Sequence, residues 1–263
     1  MKPSFTGSAK PLFAICLSLL ITATLSACSS DNDDDPNPSP TPSLDGNWYG
    51  RLQQTVNGPV GINTSVTLSL TISGTTGVAT VAGTPINFTL QLLQNDVYGV
   101  VLDDGFNTEA GFILDSSKTH MAILTEDRDF GVAEKAATPP TGYTGTLADL
   151  NGNWSGNAAE LDNLFNLTSV YTSNANIDGS DGSFTGTDST GKSFANDTAG
   201  EFSITDANYR IYQASYTATT PTDSGAVLSM LSFDKQYIAS MVCSTSLAAS
   251  FSDCAFFGWN KQP

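Results

Sequence analysis

A chain of 263 residues has room for one large or two ordinary domains, and only 14% of those residues are charged. Its 10 Lys and Arg face 26 Asp and Glu, and the formal charge of −16 argues against nucleic acid and anionic lipid headgroups as partners. A usage rich in Thr, Ser, Gly and Asn points to many short strands with tight turns rather than long surface helices.

Lys2 and Lys10 precede an apolar run from Pro11 to Ile21, and small residues follow at Ser26-Ala27. A basic start, a short apolar core and a small-residue cut site predict a secretory signal peptide over 1–27. The run is too short and too rich in Ser and Thr for a membrane span. Leu25-Ser26-Ala27-Cys28 resembles the lipobox of bacterial lipoproteins. The resemblance implies a leader cut before Cys28, a diacylglycerol on its thiol and an acyl chain, such as palmitate, on the new amine. Two or more chains anchor durably where one is marginal. Ser29 in place of Asp implies, by the same resemblance, an outer-membrane address. From Cys28 to Ser43 the chain is acidic and then Pro-rich, which predicts a disordered tether. Asp31, Asp33 and Asp35 sit at calcium-loop spacing, but Pro36 stands where the turn glycine belongs and no Glu closes the loop.

Beyond the tether one stretch occurs twice. Leu44-Asp45-Gly46-Asn47-Trp48-Tyr49-Gly50 returns 106 positions later as Leu150-Asn151-Gly152-Asn153-Trp154-Ser155-Gly156. A single long period means a duplicated domain rather than a solenoid. The first repeat spans 44–143, the linker ends over 144–149, and the second repeat spans 150–263. Each is long enough for a core of its own, so two separate melting transitions are expected.

In the first repeat Val66-Thr67-Leu68-Ser69-Leu70-Thr71-Ile72 and Ile86-Asn87-Phe88-Thr89-Leu90-Gln91-Leu92 alternate apolar with polar, the pattern of half-buried antiparallel strands. Further strands are predicted at 47–54, 77–82, 97–102, 109–114, 119–125 and 129–135. Eight short strands joined by short turns fit an up-and-down barrel, and two β-sandwiches are the alternative. The inward candidates Val66, Leu68, Leu70, Ile72, Phe88 and Leu90 are bulky and predict a filled interior. In the second repeat strands are predicted at 153–160, 165–172, 182–188, 200–205, 208–217, 225–233, 236–243 and 254–261. Its inward candidates are smaller and more polar, which makes it the better place for a cavity. Cys243 and Cys254 remain once the leader and Cys28 are set aside, and in an oxidising compartment they predict a disulfide. Closing so short a loop contributes ~2–3 kcal/mol.

Gly46-x-Trp48 and Gly152-x-Trp154 resemble the motif that opens the first strand of lipocalins and other calycins. The resemblance implies a Trp packed across the closed end of each barrel with a basic residue from the last strand above it. Lys135 and Lys261 hold that place here, where the family carries Arg.

Gly186-Thr187-Asp188-Ser189-Thr190-Gly191-Lys192-Ser193 matches a phosphate-binding loop letter by letter, but no helix-forming stretch follows, so a hairpin turn and no nucleotide are expected. Asn174–Ser180 resembles the start of a calcium loop without its closing Glu, leaving at most a weak site from Asp178, Asp181 and Asp188. His120 is the only histidine, no GxSxG elbow occurs, and no cofactor, metal or catalytic residue is expected. The sequence thus reads as a non-enzymatic, lipid-anchored envelope lipoprotein of the outer membrane, acting as a structural or interaction module for a protein partner. The alternative is a binding protein holding a small apolar or amphiphilic ligand, with the second repeat favoured.

Overall fold

The computed structural model describes residues 43–54, 64–102, 108–127, 129–142, 144–162, 166–196, 200–219, 222–244 and 254–263. The signal peptide, the lipobox with Cys28, and all of the tether except Ser43 lie outside the described residues. The chain is all-β, and a 3-10 turn, Leu147–Leu150, is its only helical element among the described residues.

Eight strands, β1 (Gly46–Gln54), β2 (Thr64–Ser73), β3 (Thr76–Val81), β4 (Thr84–Gln94), β5 (Val97–Leu102), β6 (Thr108–Leu114), β7 (His120–Thr125) and β8 (Phe130–Lys135), follow one another around a closed antiparallel barrel. It closes where β1 pairs with β8, Trp48 opposite Lys135. The alternation sends Leu68, Leu70, Ile72, Phe88 and Leu90 inward to join Trp48, Phe112, Leu114 and Met121 in one buried cluster. Bulky branched and aromatic side chains at successive inward positions fill an eight-stranded lumen.

The second ring holds β9 (Gly152–Leu161), β10 (Leu167–Ile177), β11 (Phe184–Asp188), β12 (Ser193–Asn196), β13 (Ser203–Asp206), β14 (Ile211–Thr219), β15 (Thr222–Leu231), β16 (Tyr237–Ser244) and β17 (Cys254–Lys261). β17 returns to pair with β9. The other seam closes through β12, whose Phe194 lies opposite Ala218 of β14. The expected strand at 200–205 is β13, an appendage covering the rest of the same β14 edge through Ile204 and Tyr212. The ring therefore has eight strands with a ninth laid beside it, and its closing strand is four residues long. With both rings closed, the two-sandwich alternative does not hold.

Besides each barrel's own interior, the molecule has a third core between the barrels. Val97, Ile113, Ala122, Leu124, Phe130 and Val132 from the outside of the first barrel pack on Ile211, Leu228, Met230, Tyr237, Ala239, Met241 and Phe256 from the outside of the second. Residues 41–263 form one compact unit. This shared apolar layer argues against two independently melting domains: β7 and β8 are buried on both faces, so neither barrel has a complete solvent surface without the other.

Candidate functional site

The repeated motif does the same structural work in both barrels. Gly46 and Gly152 have φ of +129° and +132°, a region that disfavours any Cβ. A Cβ at Gly46 would stand 2.9 Å from Cε of Lys135, whose stem crosses the glycine, and one at Gly152 would stand 3.3 Å from Cε of Lys261. The lysine Nζ atoms then lie 5.8 Å from the centre of the Trp48 ring and 5.3 Å from that of Trp154, within cation–π range. Both indoles are fully buried, with Nε1–H donating to the carbonyl four residues earlier, Leu44 at 2.9 Å and Leu150 at 2.8 Å. The Asp45/Asn151 pair is also functionally equivalent: Asp45 accepts from the Gly74 N–H at 2.6 Å, and Asn151 from the Gly179 N–H at 3.0 Å. These Gly, Trp and Asp/Asn positions are thereby engaged in folding contacts, and none of them lines the cavity inside the second barrel.

The second barrel contains a cavity of about 290 Å³. Its lining includes Ala175, Ile177, Phe184, Phe202, Val227, Val242, Phe257 and Trp259, together with Tyr171, Asp188, Lys192, Phe194 and Tyr216, and the exposed Glu160 marks its mouth. Part of the space comes from Ala175, which lies opposite Trp154 and lines the cavity where the first barrel has Leu70 opposite Trp48. Gly186 seats one of the lining rings: a Cβ there would stand 2.3 Å from the Phe194 ring, so only glycine lets that ring lie across the neighbouring strand. Trp259 lines the cavity with its Nε1–H held by the Ser173 hydroxyl at 2.6 Å. At the mouth, Glu160 accepts from the hydroxyls of Ser169 at 2.8 Å and Tyr171 at 3.2 Å. Burial, and then the neighbouring Glu160 carboxylate, push the Tyr171 hydroxyl far above its ordinary range, so it stays a protonated donor.

The phosphate-loop lookalike is the β11–β12 hairpin turn. Asp188 holds it by accepting from Thr190 N–H and Oγ1 and from Lys192 N–H at 2.9, 2.5 and 3.0 Å. Lys192 Nζ lies 5.8 Å from the centre of the Tyr216 ring. Asp178 and Asp181 cap a different turn, at the other end of β11 from Asp188, so the three carboxylates do not converge. Cys243 and Cys254 are bonded across β16 and β17.

His120 lies in the seam between the barrels. Its Nε2 bonds Asp234 Oδ2 at 2.9 Å and its Nδ1 faces Asp115 Oδ2 at 3.4 Å. Glu134, opposite it on β8, accepts from the Asp234 N–H at 3.0 Å. The Tyr237 ring stacks on the imidazole at 5.5 Å and donates its hydroxyl to the Ile113 carbonyl at 2.8 Å. Nearby, buried Arg51 donates to the Leu231 carbonyl at 2.6 Å, its guanidinium 4.5 Å from the Phe233 ring. Burial alone would lower the His120 pKa, but hydrogen bonds to Asp115 and Asp234 outweigh it and hold it at about 9. Burial likewise opposes ionisation of Asp234, but bonds from His120 and Ser232 bring it down to about 2. Donor atoms of His120, Glu134 and Asp234 lie within 4.8 Å of one another, as metal ligands would. Here each imidazole nitrogen already faces a carboxylate, so the group acts as an ion-paired latch between the barrels.

The sequence reading placed the cavity in the right barrel but named none of its lining side chains. The signal was the alternation at 209–216, where Tyr212, Ala214 and Tyr216 share a face. The seam was missed because His120 has one nearest partner in each of two turns, one of them 114 residues away. Its mark was the apolar run Met121–Leu124 in β7 and the largely apolar β16, interrupted only by Ser240 between Tyr237 and Cys243, both strands being buried along both faces.

No family model and no curated protein matches the chain. Among solved structures, it is similar to a protein of unknown function of the DUF3598 family from Nostoc punctiforme PCC 73102, at 13% identity and a TM-score of 0.35, covering 83% of this chain and 96% of that one. It is also similar to a double mutant of the vaccine antigen Transferrin Binding Protein B from Haemophilus parasuis Hp5, at 8% identity and a TM-score of 0.35. That match covers 82% of this chain and 45% of the other, so the chain spans less than half of that protein's length. Neither likeness is close enough to carry an argument about function.

Proposed function

We propose that this chain is a non-enzymatic, lipid-anchored envelope lipoprotein whose second barrel holds a small apolar or amphiphilic ligand. The cavity of about 290 Å³, lined by aromatic and aliphatic side chains with a few polar groups among them, is the observation that carries this reading. The first barrel, filled by its own side chains, serves as the platform on which the second is fixed. Support for the non-enzymatic part comes from His120, whose ring is committed to the seam and does not line the cavity. The lipobox resemblance, with Ser29 after Cys28, supports an outer-membrane anchor, and the up-and-down rings with Trp48 and Trp154 under lysines support a lipocalin-like ancestry. A protein partner remains a second reading because Leu92 and Leu93 stand 60% and 38% exposed at the end of β4.

Organic extraction of the purified chain, followed by mass spectrometry, is expected to release a small molecule in stoichiometric amount. Ala255 lines the cavity and is half-buried, so Ala255→Phe fills the space without breaching a wall. That variant should fold and carry no cargo. Equal cargo in both proteins would remove the cavity from the argument. Separately, Cys28→Ser is expected to move the protein from the membrane to the soluble fraction and to end palmitate labelling. A variant that stays labelled and membrane-bound would show that Cys28 is not the anchor.

A further inference from the structure

The charges around the cavity are unequal. Glu160 from β9 and Asp188 from the end of β11 face it with carboxylates, and Lys192 is the single cation among its lining residues. Asp188 is engaged in holding its own turn, and the Lys192 ammonium is drawn to the Tyr216 ring. Glu160 is different. It receives one hydroxyl on each oxygen, from Ser169 and Tyr171, and a carboxylate has about four acceptor positions in all. Two groups of touching rings line the cavity: Tyr171 meets Phe257 edge-on at 6.2 Å and Phe257 meets Trp259 at 5.0 Å, while Phe184 meets Phe202 at 5.0 Å. Aromatic faces carry negative charge density, which adds to the two carboxylates and leaves Lys192 as the one opposing charge in the lining.

We infer that the occupant is a small organic cation, a primary or quaternary ammonium on an apolar or aromatic body, with its charged head between Glu160 and the ring of Tyr171, away from the Tyr216 ring that Lys192 already faces. This inference rests on the cavity being a ligand site. A carboxylate head would gain Lys192 but meet two carboxylates and the π-faces, and a neutral head would use only the hydrogen bonds. The cavity of about 290 Å³ equals the liquid volume of roughly ten waters at about 30 Å³ each, so it suits a small ligand.

The test is calorimetric titration of the purified full-length chain with phenylpropylamine, phenylpropanol and phenylpropanoate, which share a body and differ only in the head. The amine is expected to bind about tenfold more tightly than the carboxylate, with the alcohol between them. Glu160→Gln should weaken the amine roughly fivefold, leave the alcohol unchanged and improve the carboxylate. Ala255→Phe should abolish binding of all three. If the alcohol and carboxylate bind as tightly as the amine, or if Glu160→Gln leaves the order unaltered, the cationic assignment is overturned while the cavity stands. If none of the three binds, the ligand-site reading falls and takes this inference with it.

Discussion

Trp48→Ala is expected to lower the melting temperature of the whole molecule, and Trp154→Ala to lower the same transition. Each substitution empties a fully buried site and strips a carbonyl, Leu44 or Leu150, of its indole donor. Removing a buried Trp costs ~3–5 kcal/mol, which for a unit of this size shifts melting by roughly 10–15 °C. Two separate transitions would follow if each barrel carried only its own core. The layer joining Ala122, Leu124, Phe130 and Val132 to Met230, Tyr237, Ala239 and Met241 argues for one, because unfolding either barrel exposes the apolar outside of the other. Scanning calorimetry on the full-length chain decides between them. Two transitions, each answering only to its own Trp, would mean that the shared layer contributes little to cooperativity.

His120→Ala is expected to be the most damaging polar substitution and to change the pH profile as well as the stability. It leaves the buried Asp115 and Glu134 carboxylates without their cation. Breaking a buried pair from one side costs ~3–5 kcal/mol, and the low end of that range is expected because the Asp234 side chain is 44% exposed and screened by water. In the wild type the His120 pKa is raised from 6.5 to about 9, so its contribution is complete below 6.5 and is lost as pH climbs through about 9. Asp234 is lowered from 3.8 to about 2, so its contribution is present above 3.8 and is lost as pH falls through about 2. Stability from the latch therefore peaks between about pH 4 and 6.5 and declines on the alkaline side. Denaturant titrations across pH should show that decline in the wild type and a flat alkaline limb in His120→Ala. A variant that keeps the wild-type alkaline decline would assign it to another group.

What the sequence determined by itself is the part written in local alternation and in copied motifs. Period-two runs such as Val66–Ile72 commit one face to a core, and Gly74, with φ of +61°, commits the chain to a turn, so the first barrel's strands were legible one by one. Leu-Asp-Gly-Asn-Trp and its copy declared the duplication because each residue serves a neighbour within a few positions or on the adjacent strand. Tertiary structure alone decided three other things. Ring closure in the second barrel falls to β12, four residues whose pattern is too short to announce a strand; it is held by its pairing with β14 across the closed ring. The cavity depends on which small residues end up stacked at one depth in the lumen, Ala175 among Tyr216, Phe257 and Trp259, and depth in a barrel follows from register rather than from sequence spacing. The latch joins His120 to Asp234 across 114 residues, and no local pattern encodes a partner that only the docking of two barrels brings within 2.9 Å.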